Sequence, residues 1–324
     1  MFLRRRIPEK GPLKVAVIGA GAFGRHHCAK YRNIPGVELY AIADASAETR
    51  RSMAAQHGVL AVVDWHELLG KVDLVSVCSP AVTHAPIVRA FLLAGAHVLV
   101  EKPIATTTRE ADELVALAKK TGRILTVGHQ ERFVFSRTGL LDQDVKPLSI
   151  ECWRRGPWTG RGDDVSAVLD LMIHDLDLVH TIVKSPIANV SARGLIEYGP
   201  YADEVVANIQ FADGTKAVLD TSRIAESRKR GFRASYADGM VEIDFLTRQV
   251  TNTTPRPLAA LEMGDPLGES VASFVAAALG GAEPLVQAEQ AAQALETALL
   301  IEEAAEASIP AAARAKYARR AAMA

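Results

Sequence analysis

"KVAVIGAGAFG", residues 14–24, decides the fold. The run KVAVI is short and almost wholly apolar, as a strand buried on both faces requires, and it stops at Gly19. Gly19, Gly21 and Gly24 then stand in G-x-G-x-x-G spacing with Ala22 and Phe23 inside it, and a helical stretch follows from about Phe23 to Arg32. Strand, tight turn and helix in this order make a receptor for a dinucleotide. The first glycine permits the turn, the second lets backbone approach a pyrophosphate, and the third lets helix and strand pack closely. The helix N-terminus offers its N–H groups to the phosphates.

Outward from this unit, "VELYAIAD" (37–44) reads as a second strand ending on Asp44, about twenty residues past the last glycine. A carboxylate there bonds the hydroxyls of the adenosine ribose and repels a 2′-phosphate. Arg50 and Arg51 could attract that phosphate, but they lie a turn or more into the next helix, so NAD is expected over NADP. Strand and helix keep alternating to about residue 129, which implies an α/β class with an N-terminal Rossmann doubly wound parallel sheet. Ligands of such sheets sit outside the carboxyl ends of the strands. Ser79, Pro80 and His84 in "CSPAVTHAP", Glu101 and Lys102 in "VEKP" (100–103), and Gln130 in "GHQERF" (128–133) are therefore candidates for the cofactor crevice. Lys102 could hydrogen-bond a substrate hydroxyl or carbonyl; the competing reading is an exposed strand-end lysine.

After about residue 146 the pattern changes to alternating segments, with "FADGTKAVLD" a hairpin turning at Asp213–Gly214. The expectation is a C-terminal α+β domain built on a largely antiparallel sheet. The expected division is 1–128 and 129–324, and the last helices are allowed to pack back on the first domain. Within the second part, "VLDLMIHDLDLVH" (168–180) sets carboxylates and imidazoles among leucines. As an α-helix it would place Asp170, His174 and Asp177 within roughly 60° of one another, with Asp175 on the opposite side. That face is a proton-transfer site, a metal site or a buried polar network; the stretch itself leaves the three open. Just before it, "ECWRRGPWTGRGDD" (151–164) clusters Arg154, Arg155 and Arg161 with Trp153 and Trp158, a set suited to a diphosphate and to a base or sugar face. Arg132, read as the end of an inter-domain strand, is a further substrate candidate. A strand edge with a loop of solvated charges is the competing reading, and Arg223 and "RKRGFR" are read as solvated hairpin charges.

Formal net charge is −1, so the whole-molecule field gives no reason to expect nucleic acid, and an anionic ligand must be met by a local cluster. The three cysteines, Cys28, Cys78 and Cys152, have neither metal nor disulfide spacing, which suits a reducing compartment. "MFLRRRIPEKGP" lacks the apolar segment of a secretory signal, and no run reaches membrane-spanning length, so a cytoplasmic location away from membranes is expected.

With GAGAFG, SPAVTH, EKPIA and D-x-x-x-H in this order, the chain resembles the Gfo/Idh/MocA family of NAD(P)-dependent sugar and polyol oxidoreductases, from about residue 13 to 308. The resemblance implies that Lys102, Asp170 and His174 are catalytic and that no metal is needed. It also implies a homodimer or homotetramer formed through the open face of the antiparallel sheet. Met172 stands where many members have glycine. Within the family, "GHQERF" and "LDLMIHDLDLV" look closest to dehydrogenases of UDP-N-acetylated sugars. One branch oxidises C3 of UDP-N-acetylglucosamine before an aminotransferase makes the diamino sugar of some lipid A molecules. On this reading His174, an imidazole that titrates near neutral pH, is the base for the hydroxyl proton, and Lys102 holds the same oxygen. Asp170 orients the ring or bonds a neighbouring hydroxyl. The rivals are a free sugar or polyol dehydrogenase of inositol type, and a non-catalytic dinucleotide-binding sensor; such a sensor would be expected to have lost the lysine or the histidine.

Overall fold

The run that stops at Gly19 is strand β1 (Leu13–Ile18), with its last four residues buried. The structure is a computed structural model that describes residues 11–160, 165–262 and 264–313. Strand β1 lies between β2 (Val37–Ala43) and β4 (Leu74–Val77), parallel to both. With β3 (Leu60–Val62), β5 (His97–Val100) and β6 (Leu125–Val127) it forms a six-stranded, all-parallel sheet in the order β3-β2-β1-β4-β5-β6. The direction of winding reverses at the β1/β4 boundary, and a ligand crevice opens where that reversal occurs. Helix α1 (Ala22–Tyr31) begins at this switch point.

The helices of this unit carry their boundaries in the sequence. Helix α2 (Ala47–His57) starts on Ser46, whose hydroxyl accepts the Thr49 N–H, and ends at a left-handed Gly58. Helix α4 (Thr108–Thr121) repeats the device with Thr107 and Gly122. Helix α3 (His84–Leu93) follows the end of β4. Val15, Val17, Leu74 and Leu99 of the sheet pack with Val271, Phe274 and Val275 of α7 (Pro266–Ala278) in one buried core. Asp265–Ala292 thus belongs to the compact unit that runs to Phe133.

The other unit takes Val134–Gly264 and the chain from Gln293 onward. Its seven strands are β7 (Ser149–Arg155), β8 (Ile187–Leu195), β9 (Glu204–Phe211), β10 (Lys216–Ser222), β11 (Lys229–Tyr236), β12 (Gly239–Asp244) and β13 (Gln249–Asn252). Their order is β13-β12-β11-β7-β10-β9-β8, antiparallel throughout except for the parallel β7/β10 pair. The architecture is therefore α/β overall, a Rossmann-like parallel sheet followed by a mostly antiparallel sheet with helices. Helices α5 (Glu131–Thr138), α6 (Ile173–Ile182) and α8 (Ala288–Ser308) complete the elements. Among the described residues no helix is long and apolar enough to cross a membrane.

Two local expectations are corrected. Arg132 is in the first turn of α5 and not at a strand end, because the β6 strand closes at Val127. Val168–Met172 forms a π-helical turn that leads into α6. Both geometries present apolar residues at similar intervals, so the sequence pattern reads as one α-helix. Such π-turns are rare and occur often at functional sites.

Candidate active site

The three glycines of the loop differ in what surrounds them. Gly19 has a positive φ of 83°, and a Cβ there would come within 2.6 Å of the Ser79 backbone nitrogen. A Cβ on Gly24 would overlap the Gly19 carbonyl oxygen, so this glycine sets the helix–strand approach. A Cβ on Gly21 would meet no protein atom within 4 Å, leaving its Cα open to a ligand. Ala22 and Phe23 are exposed at the start of α1. The loop and the acidic strand end are tied together, since Asp44 Oδ2 accepts the Ala20 N–H at 2.7 Å and Oδ1 accepts the Ser46 N–H at 2.8 Å. Each carboxylate oxygen retains acceptor capacity for ribose hydroxyls. These residues fit a nicotinamide dinucleotide.

Arg50 is nearer to Asp44 than its place in the next helix suggests. Its Nη1 donates to the Asp44 carbonyl at 2.6 Å and to that of Ala45 at 2.9 Å. A cation therefore stands behind the acidic residue. Asp44→Ala is expected to weaken NAD by roughly tenfold to a hundredfold, the worth of about 1.5–3 kcal/mol for hydrogen bonds to a charged acceptor. It should at the same time raise NADP use, and Asp44→Ala/Arg50→Ala should lose that gain; steady-state kinetics with both cofactors checks this.

The other strand ends are joined by buried polar groups. Ser79 Oγ lies 2.6 Å from Thr83 Oγ1, and Pro80 precedes the short helical turn Ala81–Thr83. His84 is buried with its ring between two carbonyl oxygens, Pro103 at 2.7 Å and Ser79 at 2.8 Å, beside Lys102, and in the neutral form it donates to one of them. Burial pulls its imidazole below the ordinary histidine value, against the two carbonyls, which pull the other way.

Glu101 is held inside the unit. Its Oε1 lies 2.8 Å from His27 Nε2 and 3.3 Å from Gln130 Nε2, and Gly128 lies against its carboxylate, where a Cβ would come within 2.7 Å. Burial acts to raise this carboxyl, yet the His27 hydrogen bond and the charges of His27 and Lys102 bring it below the ordinary carboxylate value of 4.5. A carboxylate only accepts, so His27 donates from Nε2. His27 Nδ1 then meets Ser76 Oγ at 3.0 Å, and Ser76 shares a 2.7 Å hydrogen bond with Tyr31. His27, Ser76 and Tyr31 were missed in the sequence; the available signal was a histidine three residues past Gly24 in a helix whose inner face is otherwise apolar. Because the folded Glu101 carboxyl is depressed, its contribution is fully present above 4.5 and is lost as pH falls through the folded value. Glu101→Gln should therefore melt lower than the parent at neutral pH, and the gap should close in acid, as thermal unfolding across pH will test.

In the second unit the π-turn starts on Ser166, whose Oγ accepts the Val168 and Leu169 N–H groups at 3.1 and 3.2 Å. Asp170 and His174 are partly exposed, whereas Asp175, Asp177 and His180 are buried. Burial therefore sets the partly exposed Asp170 and His174 apart from Asp177. His180 Nε2 is 2.7 Å from Thr297 Oγ1, an internal bond. Asp175 is paired: Arg154 clasps it with two hydrogen bonds, Nε to Oδ2 at 3.1 Å and Nη2 to Oδ1 at 2.7 Å, joining β7 to α6.

The arginine cluster divides. Successive strand residues face opposite sides, and Arg155 points away from Arg154 to pair with Glu204 at 2.7 Å and with Asp220. Arg161 lies outside the described residues. Arg132 is buried in the first unit, its Nη1 donating to Gln290 Oε1 at 3.1 Å. Arg223, expected in solvent, is buried against Asp203 at 2.6 Å.

Residues 13–129 match the Gfo/Idh/MocA oxidoreductase family with its NAD-binding Rossmann fold, and residues 139–242 match the Gfo/Idh/MocA C-terminal domain. The chain is 34% identical over 236 residues to a UDP-N-acetylglucosamine 3-dehydrogenase of Acidithiobacillus ferrooxidans, covering 72% of this chain and 74% of that one. The solved structure of UDP-N-acetylglucosamine 3-dehydrogenase GnnA from Acidithiobacillus ferrooxidans superposes with a TM-score of 0.85 at 29% identity, over 92% of this chain and 99% of the other. A myo-inositol 2-dehydrogenase of Thermotoga maritima is 31% identical over 66% of this chain and 69% of its own. A D-glucoside 3-dehydrogenase of Escherichia coli is 35% identical over 65% and 70%.

Proposed function

Since the chain belongs to the Gfo/Idh/MocA family and is an oxidoreductase acting on CH–OH groups with a nicotinamide dinucleotide, we propose that it oxidises C3 of UDP-N-acetylglucosamine with NAD. The observation that carries this reading is the likeness to the UDP-N-acetylglucosamine 3-dehydrogenase over nearly the whole of both chains. The partly exposed Asp170 and His174, beside the buried Asp175, Asp177 and His180, support it.

When bound, the nicotinamide supplies the acceptor for the hydride of the carbinol carbon. The glycine loop of Gly19, Gly21 and Gly24 holds the pyrophosphate, and Asp44 holds the adenosine ribose, which favours NAD over NADP. Ser79, Pro80 and Glu101 shape the nicotinamide end. The His174 imidazole takes the proton of the substrate hydroxyl, and Lys102 Nζ donates a hydrogen bond to the same oxygen and stabilises its developing negative charge. Asp170 orients the His174 ring or bonds the adjacent sugar hydroxyl. The 3-keto sugar suits consumption by an aminotransferase, and the open face of the seven-stranded sheet suits self-association.

A myo-inositol 2-dehydrogenase is also among the relatives, so free polyols are the second reading. Initial rates of NAD reduction with UDP-N-acetylglucosamine, myo-inositol and methyl glucoside, with an aminotransferase and glutamate to remove the keto sugar, separate the two. The proposal expects kcat/KM for the nucleotide sugar to exceed the others by at least a hundredfold; a preference for inositol would reject it.

A further inference from the structure

Trp158, Tyr198 and Arg223 come from three loops, and the sheet explains their meeting. Strand β10 is parallel to β7, and β8 is antiparallel to β9, which is antiparallel to β10. Strands β7, β8 and β10 therefore end on the same edge, and the three residues follow those three ends. The Trp158 and Tyr198 rings stack at 4.8 Å with 10° between their planes. The Arg223 guanidinium carbon lies over the Trp158 ring, 5.3 Å from its centroid.

A buried carboxylate fixes this group. Asp203, with no exposed surface, accepts Arg223 Nε at 2.6 Å and the Glu197 and Tyr198 N–H groups at 2.7 and 2.8 Å. The same loops clamp the start of the π-turn: Arg223 Nη1 donates to the Val165 carbonyl at 2.9 Å, and the Ala167 N–H to the Ala202 carbonyl at 2.8 Å. A buried ion pair thus holds an aromatic ring that is itself 52% exposed. An exposed ring on a rigid, charged support is arranged to receive a flat partner. From Ala167, whose N–H the Ala202 carbonyl holds, to His174 the helical rise amounts to roughly 8–11 Å, a span on the scale of the ribose and diphosphate that separate a base from its reacting sugar.

We propose that Tyr198, backed by Trp158 and Arg223, is the stacking platform for the nucleobase of a nucleoside-diphosphate substrate. This rests on the reading of the substrate as a nucleotide sugar. Base stacking on an aromatic residue is lost on its truncation to an aliphatic one.

The test is calorimetric titration of the full chain with UDP, for the parent, Tyr198→Leu and Tyr198→Phe, alongside sedimentation of each. UDP should bind at least tenfold more weakly to Tyr198→Leu and at parental strength to Tyr198→Phe, with no change in sedimenting mass. Parental UDP affinity in Tyr198→Leu, or an equal loss in Tyr198→Phe, overturns the platform while leaving the nucleotide-sugar reading intact. A loss accompanied by a change in mass overturns it in favour of a surface for a second copy of the chain. A parent that binds no UDP defeats the nucleotide-sugar reading itself, and the platform with it.

Discussion

His174→Ala lowers kcat by about 10²–10⁴ while leaving NAD affinity unchanged, the range spanned by a positioned general base. An imidazole is suited to general-base work, and that of His174 belongs to the partly exposed part of an otherwise buried polar stretch. The glycine loop and Asp44, which hold the dinucleotide in our proposal, belong to the other unit. Cofactor affinity should therefore survive the loss of this side chain. His174→Asn keeps a polar group of similar reach but no base, and should be as slow as alanine. Calorimetry with NAD and steady-state rates on the same preparations check both halves. Loss of NAD affinity in step with kcat would make His174 a structural residue.

Asp175→Ala destabilises the protein by about 3–5 kcal/mol, because it leaves the Arg154 guanidinium buried without its fork partner. Both side chains are largely buried, 11% and 7% exposed. For a unit of this size the melting temperature falls by roughly 2–4 °C per kcal/mol, so a drop of roughly 6–20 °C is expected. Arg154→Met/Asp175→Leu should recover most of it, since an apolar pair of similar volume avoids the desolvation of two charges. The double variant also separates two roles of Arg154. If the arginine serves only to tie α6 to β7, substrate KM stays at the parental value; if it also meets a substrate diphosphate, KM rises in a protein that is otherwise stable.

Much of the first unit was legible because its signals are local. The apolar run ending at Gly19, the glycine spacing and the Asp44 strand end each act within a few residues, and apart from the β1/β4 pair neighbouring strands follow one another in sequence. The site was less legible wherever it depends on geometry that adjacency conceals. Arg154 and Arg155 look like one cluster in sequence, and the two-residue period of a strand sends them to opposite faces. The His27–Glu101 bond joins residues far apart in the chain, from the first helix to the end of β5. Arg223 reads as a solvated hairpin charge until the loop after β8 brings Asp203 against it. The π-turn at Val168–Met172 escaped for a different reason: one added residue per turn changes the direction of Asp170 without changing the apolar pattern.

The most direct measurement is the fate of deuterium placed at C3 of UDP-N-acetylglucosamine and incubated with the protein, NAD, an aminotransferase and glutamate. Recovery of the label in the reduced nicotinamide, with slower turnover than the unlabelled sugar, is the result expected for oxidation at C3. Turnover that leaves the deuterium on the sugar, or no turnover by a protein that readily oxidises myo-inositol, would contradict it.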